Sequence, residues 1–349
     1  MRERQHDASS EETMSKVFII AEAGVNHNGS LEMALRLVDA AKASGADAVK
    51  FQSFQADLLA TRFAHKAAYQ ERTVPASDSQ LEMLRRLQLD AEAHRHIIER
   101  CNEIGIEFLS SPFDPASADL LESLHLRIFK IPSGEITNIP FLEHLARKGK
   151  PLIVSTGMST LGEVEAAVNA IAKIRAVPLT LLQCVTEYPA PYNAVNLRAM
   201  LTLKQAFCVP VGYSDHTSGI EIAIAAVAIG AEVIEKHFTL SRSLPGPDHA
   251  ASLEPDELKT MVTAIRHVEE ALGDGIKAPS ACEFSNIAVA RKSVVARCAL
   301  PKGHVLSATD LTVKRPGTGL PPNLIGSLVG RTLRMDIEQD EVIGWAQLN

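Results

Sequence analysis

Two histidines, two lysines and two glutamates each sit in or just after a short apolar run. His216 closes VGYSDH and His237 closes EVIEKH; Lys50 closes DAVK and Lys130 closes LRIFK; Glu22 lies in VFIIAEAG and Glu135 in IPSGE. Two imidazoles brought together bind one divalent ion and leave positions for substrate and water. A closed structural zinc site needs four protein ligands, so loosely held Mn2+ or Mg2+ acting as a Lewis acid fits this pair better. Lys50 and Lys130, with Ser111, Ser133 and Ser155, would form a cationic, donor-rich concavity suited to a phosphate or carboxylate. Glu22 and Glu135, desolvated beside such cations, are candidates for acid/base work. These residue types support a metal-assisted reaction on a small anionic substrate. His27, in GVNHNG, has Asn and Gly on both sides, which favours a tight turn over a third metal ligand.

The elements that must position these groups follow from the pattern between them. Short β-branched runs (VFIIAEAG, DAVKFQ, IEFLSS, LRIFKIPS, PLIVSTG, LTLLQC, VPVGYS, AEVIEKHF) alternate with amphipathic stretches. The helical pattern covers 31–44, LEMLRRLQL, 91–103, 116–124, 138–148, 161–174, 196–206, 219–229 and 255–273. Eight strand–helix units between Val17 and about Leu272 predict a (β/α)8 TIM barrel over 17–273, with a doubly wound open sheet as the alternative. A barrel keeps its chemistry where strands end. Glu22, Lys50, Ser110 with Ser111, Lys130 with Ser133 and Glu135, and Ser155 follow the first five strands. Thr186 with Glu187 and Tyr188, then Ser214 with Asp215 and His216, then Lys236 with His237 follow the last three. Polar groups at every strand end are costly unless they face a solvated site or one another.

Past Leu272, Gly-Asp-Gly and Pro279 mark a linker over 274–283. The segment 284–349, with SVVARCAL, PKGHVL and ATDLTVKRPGTG, reads as a small β-rich domain. Residues 1–16 are polar and charged and read as a disordered tail, with Met14 as an alternative start; they lack the apolar core of a signal peptide. The formal charge of -7 gives no general reason to bind nucleic acid or an anionic membrane. The stretch 220–234 is interrupted by Glu221 and Glu232 and is too short to span a bilayer. The five cysteines are scattered, with no CxxC pair, which points to reduced thiols in the cytoplasm.

Eight longer motifs, IIAEAGVNHNG, DAVKFQSF, FKIPSGEITN, VSTGMST, TEYPAPYNAVNL, VGYSDHT, EKHFTL and PGPDHAASLEP, occur in an order that resembles the sialic acid synthase family. The resemblance runs from Val17 to the C-terminus, and the final domain is similar to the antifreeze-like (SAF) domain. It implies condensation of phosphoenolpyruvate with an N-acylated hexosamine to a nine-carbon nonulosonic acid, in carbohydrate biosynthesis such as that of lipopolysaccharide or capsule. It further implies that His216 and His237 bind the metal, usually Mn2+. Lys50, Lys130, Ser111, Ser133, Ser155, Thr186 and Ser214 would hold phosphoenolpyruvate, and Gln52, Tyr188 and Asp248 would contact the acceptor. Glu22 and Glu135 would handle protons and the attacking water. Arg315, in KRPGTG, would reach the partner subunit's active site, which implies a domain-swapped homodimer.

Ser111 and Thr186 stand where some members of that family carry Thr and Asn. A loop asparagine that some members use on the acceptor has no clear counterpart in QERTVPASDS. The acceptor is therefore open between N-acetylmannosamine, giving N-acetylneuraminate, and 2,4-diacetamido-2,4,6-trideoxy-mannose, giving N,N'-diacetyllegionaminate. GEITN, GYSDHT and AAYQ…SQLEML lean to the latter, and pseudaminate synthases look less similar. Outside the family, a metal-dependent barrel aldolase or phosphosugar synthase would share fold and lysines without needing the SAF-like tail. A non-catalytic sugar-binding barrel would be expected to lack His216, His237, Lys50 or Lys130, and all four are present.

Overall fold

The computed structural model describes residues 16–67, 70–71 and 79–349. The expected tail before Lys16, including Met14, and the centre of QERTVPASDS lie outside the described residues. Eight strands form one parallel sheet: β1 (Phe18–Gly24), β2 (Ala48–Ser53), β3 (Glu107–Pro112), β4 (Phe129–Ile131), β5 (Leu152–Ser155), β6 (Leu179–Cys184), β7 (Val211–Asp215) and β8 (Val233–His237). Their order is β3-β2-β1-β8-β7-β6-β5-β4. β1 pairs with β8 from Phe18↔Val233 to Glu22↔His237, and β4 lies beside β3. With β1 paired to β8 and the two ends of that order, β3 and β4, packed side by side, the strands make a ring, which excludes the doubly wound open sheet.

Strand alternation then does two jobs. Ile20, Ala48, Leu109, Ile153, Leu182 and Val233 point inward and form a compact apolar plug. Alternate residues such as Ile19, Val49, Phe51, Phe129, Val154 and Ile234 point outward into a larger core beneath the helices. Stepping two residues along each strand from the plug reaches Glu22, Lys50, Ser111, Ser155, Cys184 and Glu235. The period of two therefore raises a layer of polar side chains directly above an apolar floor.

The helices are α1 (Leu31–Ala43), α2 (Ala56–Leu59), α3 (Gln80–Leu87), α4 (Ala91–Ile104), α5 (Pro115–Ser123), α6 (Ile139–Arg147), α7 (Leu161–Ile174), α8 (Arg198–Phe207), α9 (Glu221–Ala228) and α10 (Pro255–Leu272). Several begin at side-chain caps: Ser30 accepts from the Met33 amide, and Ser79/Glu82 and Thr160/Glu163 form capping boxes. α2 and α3 belong to an insertion between β2 and α4. Val25, Phe54, Met83 and Leu87 make a separate apolar cluster there, joined by Leu59, Leu84 and Phe113. Among the described residues, no helix is long and apolar enough to cross a membrane.

A second compact unit covers Asp274–Asn349. It has its own core, including Val294, Leu306, Leu311, Leu328, Leu333, Ile337 and Ile343. It is less regular than its β-rich sequence suggests. β9 (Ser293–Ala296) and β10 (Leu311–Lys314) pair antiparallel, while Leu300↔Ile337, Val305↔Thr332 and Leu333↔Leu348 meet only as single bridges. Pro301, Pro321 and Pro322 and the intervening turns keep the other runs from extending into ladders. A short helix, α11 (Phe284–Ala290), precedes β9.

Candidate active site

A cavity of about 320 Å3 opens at the C-terminal ends of the barrel strands. Glu22, Lys50, Gln52, Ser111, Lys130, Ser133, Ser155, Thr186, Tyr188, Ser214, His216, His237 and Asp248 all line it. Glu135 does not. It ends a 3-10 turn over Ser133–Glu135 that aims Ser133 at the cavity, and its carboxylate accepts from Asn138 Nδ2 at 2.7 Å. Arg315 belongs to the second unit, where it is exposed and its Nε donates to the Ala290 carbonyl at 3.0 Å.

Four buried charges form the floor. Glu22, Lys50, Lys130 and Glu235 are 1%, 3%, 2% and 4% exposed. Lys50 Nζ lies 2.7 Å from Glu22 Oε2 and 3.6 Å from Glu235 Oε2, and donates to Ser111 Oγ at 3.0 Å. Lys130 Nζ is 3.4 Å from Glu235 Oε1, to which Ser214 Oγ donates at 2.9 Å. Burial pushes Glu235 up, but Lys130 and Lys50 together outweigh it and hold its carboxyl below the usual range. Burial lowers Lys50, yet Glu22 and Glu235 bring it back above its ordinary value; in Lys130 burial wins and the ammonium is weakened. Glu22 is raised, chiefly by burial and despite Lys50. Within hearing of these lysines, Ser155 Oγ and Thr186 Oγ1 are buried and have no hydrogen-bond partner among the described residues. Buried hydroxyls without partners are costly, and a bound anion's oxygens would satisfy them.

The histidines stand beside this floor. Their ring centroids are 5.4 Å apart, and the Tyr188 ring packs 4.1 Å from His216 and edge-on at 5.5 Å from His237. His216 Nδ1 donates to the Val185 carbonyl at 2.7 Å, which leaves Nε2 of the neutral ring to carry the lone pair. Burial, with His216 and Lys50 nearby, pushes His237 well below its ordinary value, and its Nδ1 has no partner among the described residues. Burial lowers His216 too, but Cys184, the Val185 carbonyl and Glu235 outweigh it and leave it above its ordinary value, so a divalent cation at the pair would have to displace its proton. Among the described residues no group of three or more His, Cys, Asp or Glu could hold a metal ion, so the pair forms no closed cage of protein ligands. Gly24, at φ +53, keeps this corner clear: a Cβ there would stand 3.3 Å from Gln52 Nε2 and Glu22 Oε1 and 3.5 Å from His237 Cε1. His27 lies elsewhere, in the turn after β1. There its Nδ1 accepts from the Gly29 amide at 3.0 Å and its ring sits 6.0 Å from that of Phe51.

The NeuB family model matches residues 37–277, and the SAF domain model matches residues 291–349. The chain belongs to the NeuB family. It is 52% identical over 332 residues to the N,N'-diacetyllegionaminic acid synthase of Campylobacter jejuni, covering 95% of this chain and 99% of that one. It is 50% identical to the protein of the same name from Legionella pneumophila, covering 95% of this chain and 94% of that one. A solved N-acetylneuraminic acid (sialic acid) synthetase from Leptospira borgpetersenii, in complex with citrate, superposes with a TM-score of 0.69 at 37% identity. That match covers 78% of this chain and 90% of the other.

Reading strand ends alone misses part of this NeuB-family site. Glu235 joins both lysines, and Cys184 lines the cavity with its Sγ 3.8 Å from His216 Nδ1. The signal for both was parity: each lies two residues beyond an inward plug residue, and Glu235 is also two before His237. Parity also removes three groups, the first being Ser110, which lies outside the cavity lining with its hydroxyl 2.7 Å from that of Ser53. Asp215 and Lys236, strand-end residues by sequence, are paired across β7 and β8 on the outward side. Lys236 Nζ lies 2.8 Å from Asp215 Oδ2 and donates to the Thr217 carbonyl at 2.5 Å, while Asp215 Oδ1 accepts from Thr217 N and Oγ1 at 2.8 Å. Neither lines the cavity.

Proposed function

We propose that this chain is a nonulosonic acid synthase, a transferase that joins phosphoenolpyruvate to an N-acetylated hexosamine with release of phosphate. We favour 2,4-diacetamido-2,4,6-trideoxy-mannose as acceptor and N,N'-diacetyllegionaminate as product, the name carried by the Campylobacter and Legionella relatives. One observation supports this most strongly. The two-lysine floor with its unpartnered hydroxyls and the two-histidine corner share one cavity.

In the reaction, C3 of phosphoenolpyruvate forms a bond to the aldehyde carbon of the open-chain sugar, whose oxygen takes a proton. Water adds at C2 and loses one proton; phosphate then departs with its bridging oxygen while the new hydroxyl gives its remaining proton to the departing phosphate, leaving a keto group. Lys50 and Lys130 with Ser111, Ser133, Ser155, Thr186 and Ser214 would hold the phosphate and carboxylate. In a water-poor site such fixed donors stabilise the charge that develops on the departing phosphate. Holding two reactants in line contributes roughly 7–11 kcal/mol when they are well oriented. A divalent cation at His216 and His237, Mn2+ by preference, would supply Lewis acidity toward the acceptor's carbonyl oxygen. Gln52 and Tyr188 would orient the sugar. Glu22, raised by burial, is suited to hold a proton beside Lys50. Asp248 is pushed up to about 7 by burial and by Glu22, with His216 opposing, so it can both donate and accept near neutral pH. Glu135, outside the cavity lining, is the weaker of the two glutamate candidates for acid/base work.

The proposal extends to the assembly: a barrel over 17–273, a linker over 274–283, and a SAF domain over 284–349 exchanged within a cytoplasmic homodimer, so that Arg315 of the partner subunit completes each site. The founding test is phosphate release with phosphoenolpyruvate, Mn2+ and each acceptor in turn. Release that needs an acceptor and stops with EDTA supports the synthase. No release with either acceptor, from folded and metal-loaded protein, refutes it.

A further inference from the structure

The cavity has two chemically different sides. Strand ends supply the charged and hydroxyl-bearing floor. The opposite wall is Val25, Phe54, Leu59, Met83, Leu84 and Leu87, contributed by the turn after β1 and by the insertion that carries α2 and α3. These side chains are not an outgrowth of the barrel core; they cohere as a cluster of their own. The Ser79/Glu82 capping box fixes where α3 starts, and the helical spacing then stacks Met83 on Leu87 on one face.

Phosphoenolpyruvate has no use for such a wall, since it is a carboxylate and a phosphate on a two-carbon unit. A fully hydroxylated hexosamine gains little from it either. An acceptor with a C6 methyl and a second acetamido methyl matches it, and Gln52 and Gln80, which also line the cavity, can serve amide groups. We propose that this apolar wall reads the acceptor, taking the C6 and acetamido methyl groups and so setting preference for the diacetamido-trideoxy sugar over N-acetylmannosamine. The inference rests on the synthase reading above and names the residues that decide its substrate. One apolar group in such a pocket typically discriminates by about 10–200-fold, and an apolar surface disfavours an added hydroxyl by about 100-fold.

The test uses the full-length protein with saturating phosphoenolpyruvate and Mn2+. It compares kcat/KM for the two acceptors in Leu59→Asn and Leu84→Asn, both at partly exposed wall positions. Leu58→Asn is the control: its side chain is 59% exposed on the same short helix and does not line the cavity. We expect the ratio of diacetamido sugar to N-acetylmannosamine to fall about tenfold or more in each wall variant. The KM for phosphoenolpyruvate and the unfolding temperature should stay near wild type, and the control should change nothing. Should either asparagine variant fail to fold, Leu59→Ala and Leu84→Ala read the same ratio. An unchanged ratio, or an equal loss on both acceptors, would mean the wall only holds α3 in place and overturns the inference. So would a wild type that prefers N-acetylmannosamine, although the synthase reading would survive. Only the absence of turnover with both acceptors removes that reading itself.

Discussion

Glu235 is the residue on which the floor's electrostatics turn, because among the described residues it alone touches both lysines and the Ser214 hydroxyl. Replacing it by Gln leaves two buried ammonium groups short of a counter-charge. Breaking a buried ion pair from one side costs about 3–5 kcal/mol. Thermal unfolding of Glu235→Gln should therefore begin well below wild type, and phosphoenolpyruvate should raise its midpoint by more than it raises the wild type's. A variant as stable as wild type, or one indifferent to phosphoenolpyruvate, would show that the lysines do not await an anion. At this scale the sequence was informative about type and poor about direction. Lys50, Lys130, His216 and His237 were recognisable from where their strands end. Glu235 is not recognisable in this way, because a glutamate before Lys-His resembles a solvated side chain until its parity with Val233 is counted.

At the scale of elements, β7 and β8 present the two histidines, and the outward Asp215–Lys236 pair pins those strand ends to each other. Lys236→Met removes the pin without touching the cavity. We expect Mn2+ affinity to drop about 10–100-fold, as when a supporting contact behind a metal ligand is lost, read by calorimetric titration of the folded apoprotein. The double change Asp215→Leu with Lys236→Met should recover most of the lost unfolding temperature, since an apolar pair of similar size tolerates burial. The βα loops carry a pH signature as well. His27 sits at about 4 because burial, aided by His94 and His249, opposes its protonation. Below the ordinary value of 6.5 the unfolded chain takes up a proton that the folded chain refuses. Stability that is complete above 6.5 is thus lost as pH falls towards 4, by on the order of 3 kcal/mol for a shift of this size. His27→Asn should lose less unfolding temperature than wild type between pH 7 and 4.5; parallel profiles would contradict this. The elements themselves were legible, since β-branched runs alternating with amphipathic stretches give strands and helices close to their observed limits. The second unit was less so, because its short apolar runs pair through single bridges that no local pattern announces.

For the whole molecule, the barrel followed from eight repeats of one unit; β1 joins β8, and β3 meeting β4 at the ends of the strand order closes it. The two units have separate cores, which makes exchange of the smaller one between subunits physically simple. Mixing Lys130→Ala and Arg315→Ala subunits tests that exchange. Each variant alone should be nearly inactive. A mixed dimer would unite one sound barrel with one sound SAF domain, restoring about a quarter of wild-type turnover after random reassortment. No recovery would place Arg315 in its own subunit's service, and an Arg315→Ala variant active by itself would place it outside the site.

The apolar plug beneath the charged floor bears on traffic. Ile20, Ala48, Leu109, Ile153, Leu182 and Val233 leave no passage through the barrel, so the cavity is a cul-de-sac. A reactant seated on the lysines must arrive before one that occupies the mouth above it, and whatever remains on the lysines must depart last. With phosphoenolpyruvate on the lysines, as proposed, compulsory order with phosphoenolpyruvate first in and phosphate last out is the expected outcome of product-inhibition kinetics, and its origin would be the stopper at the bottom of the barrel rather than any group that takes part in the chemistry.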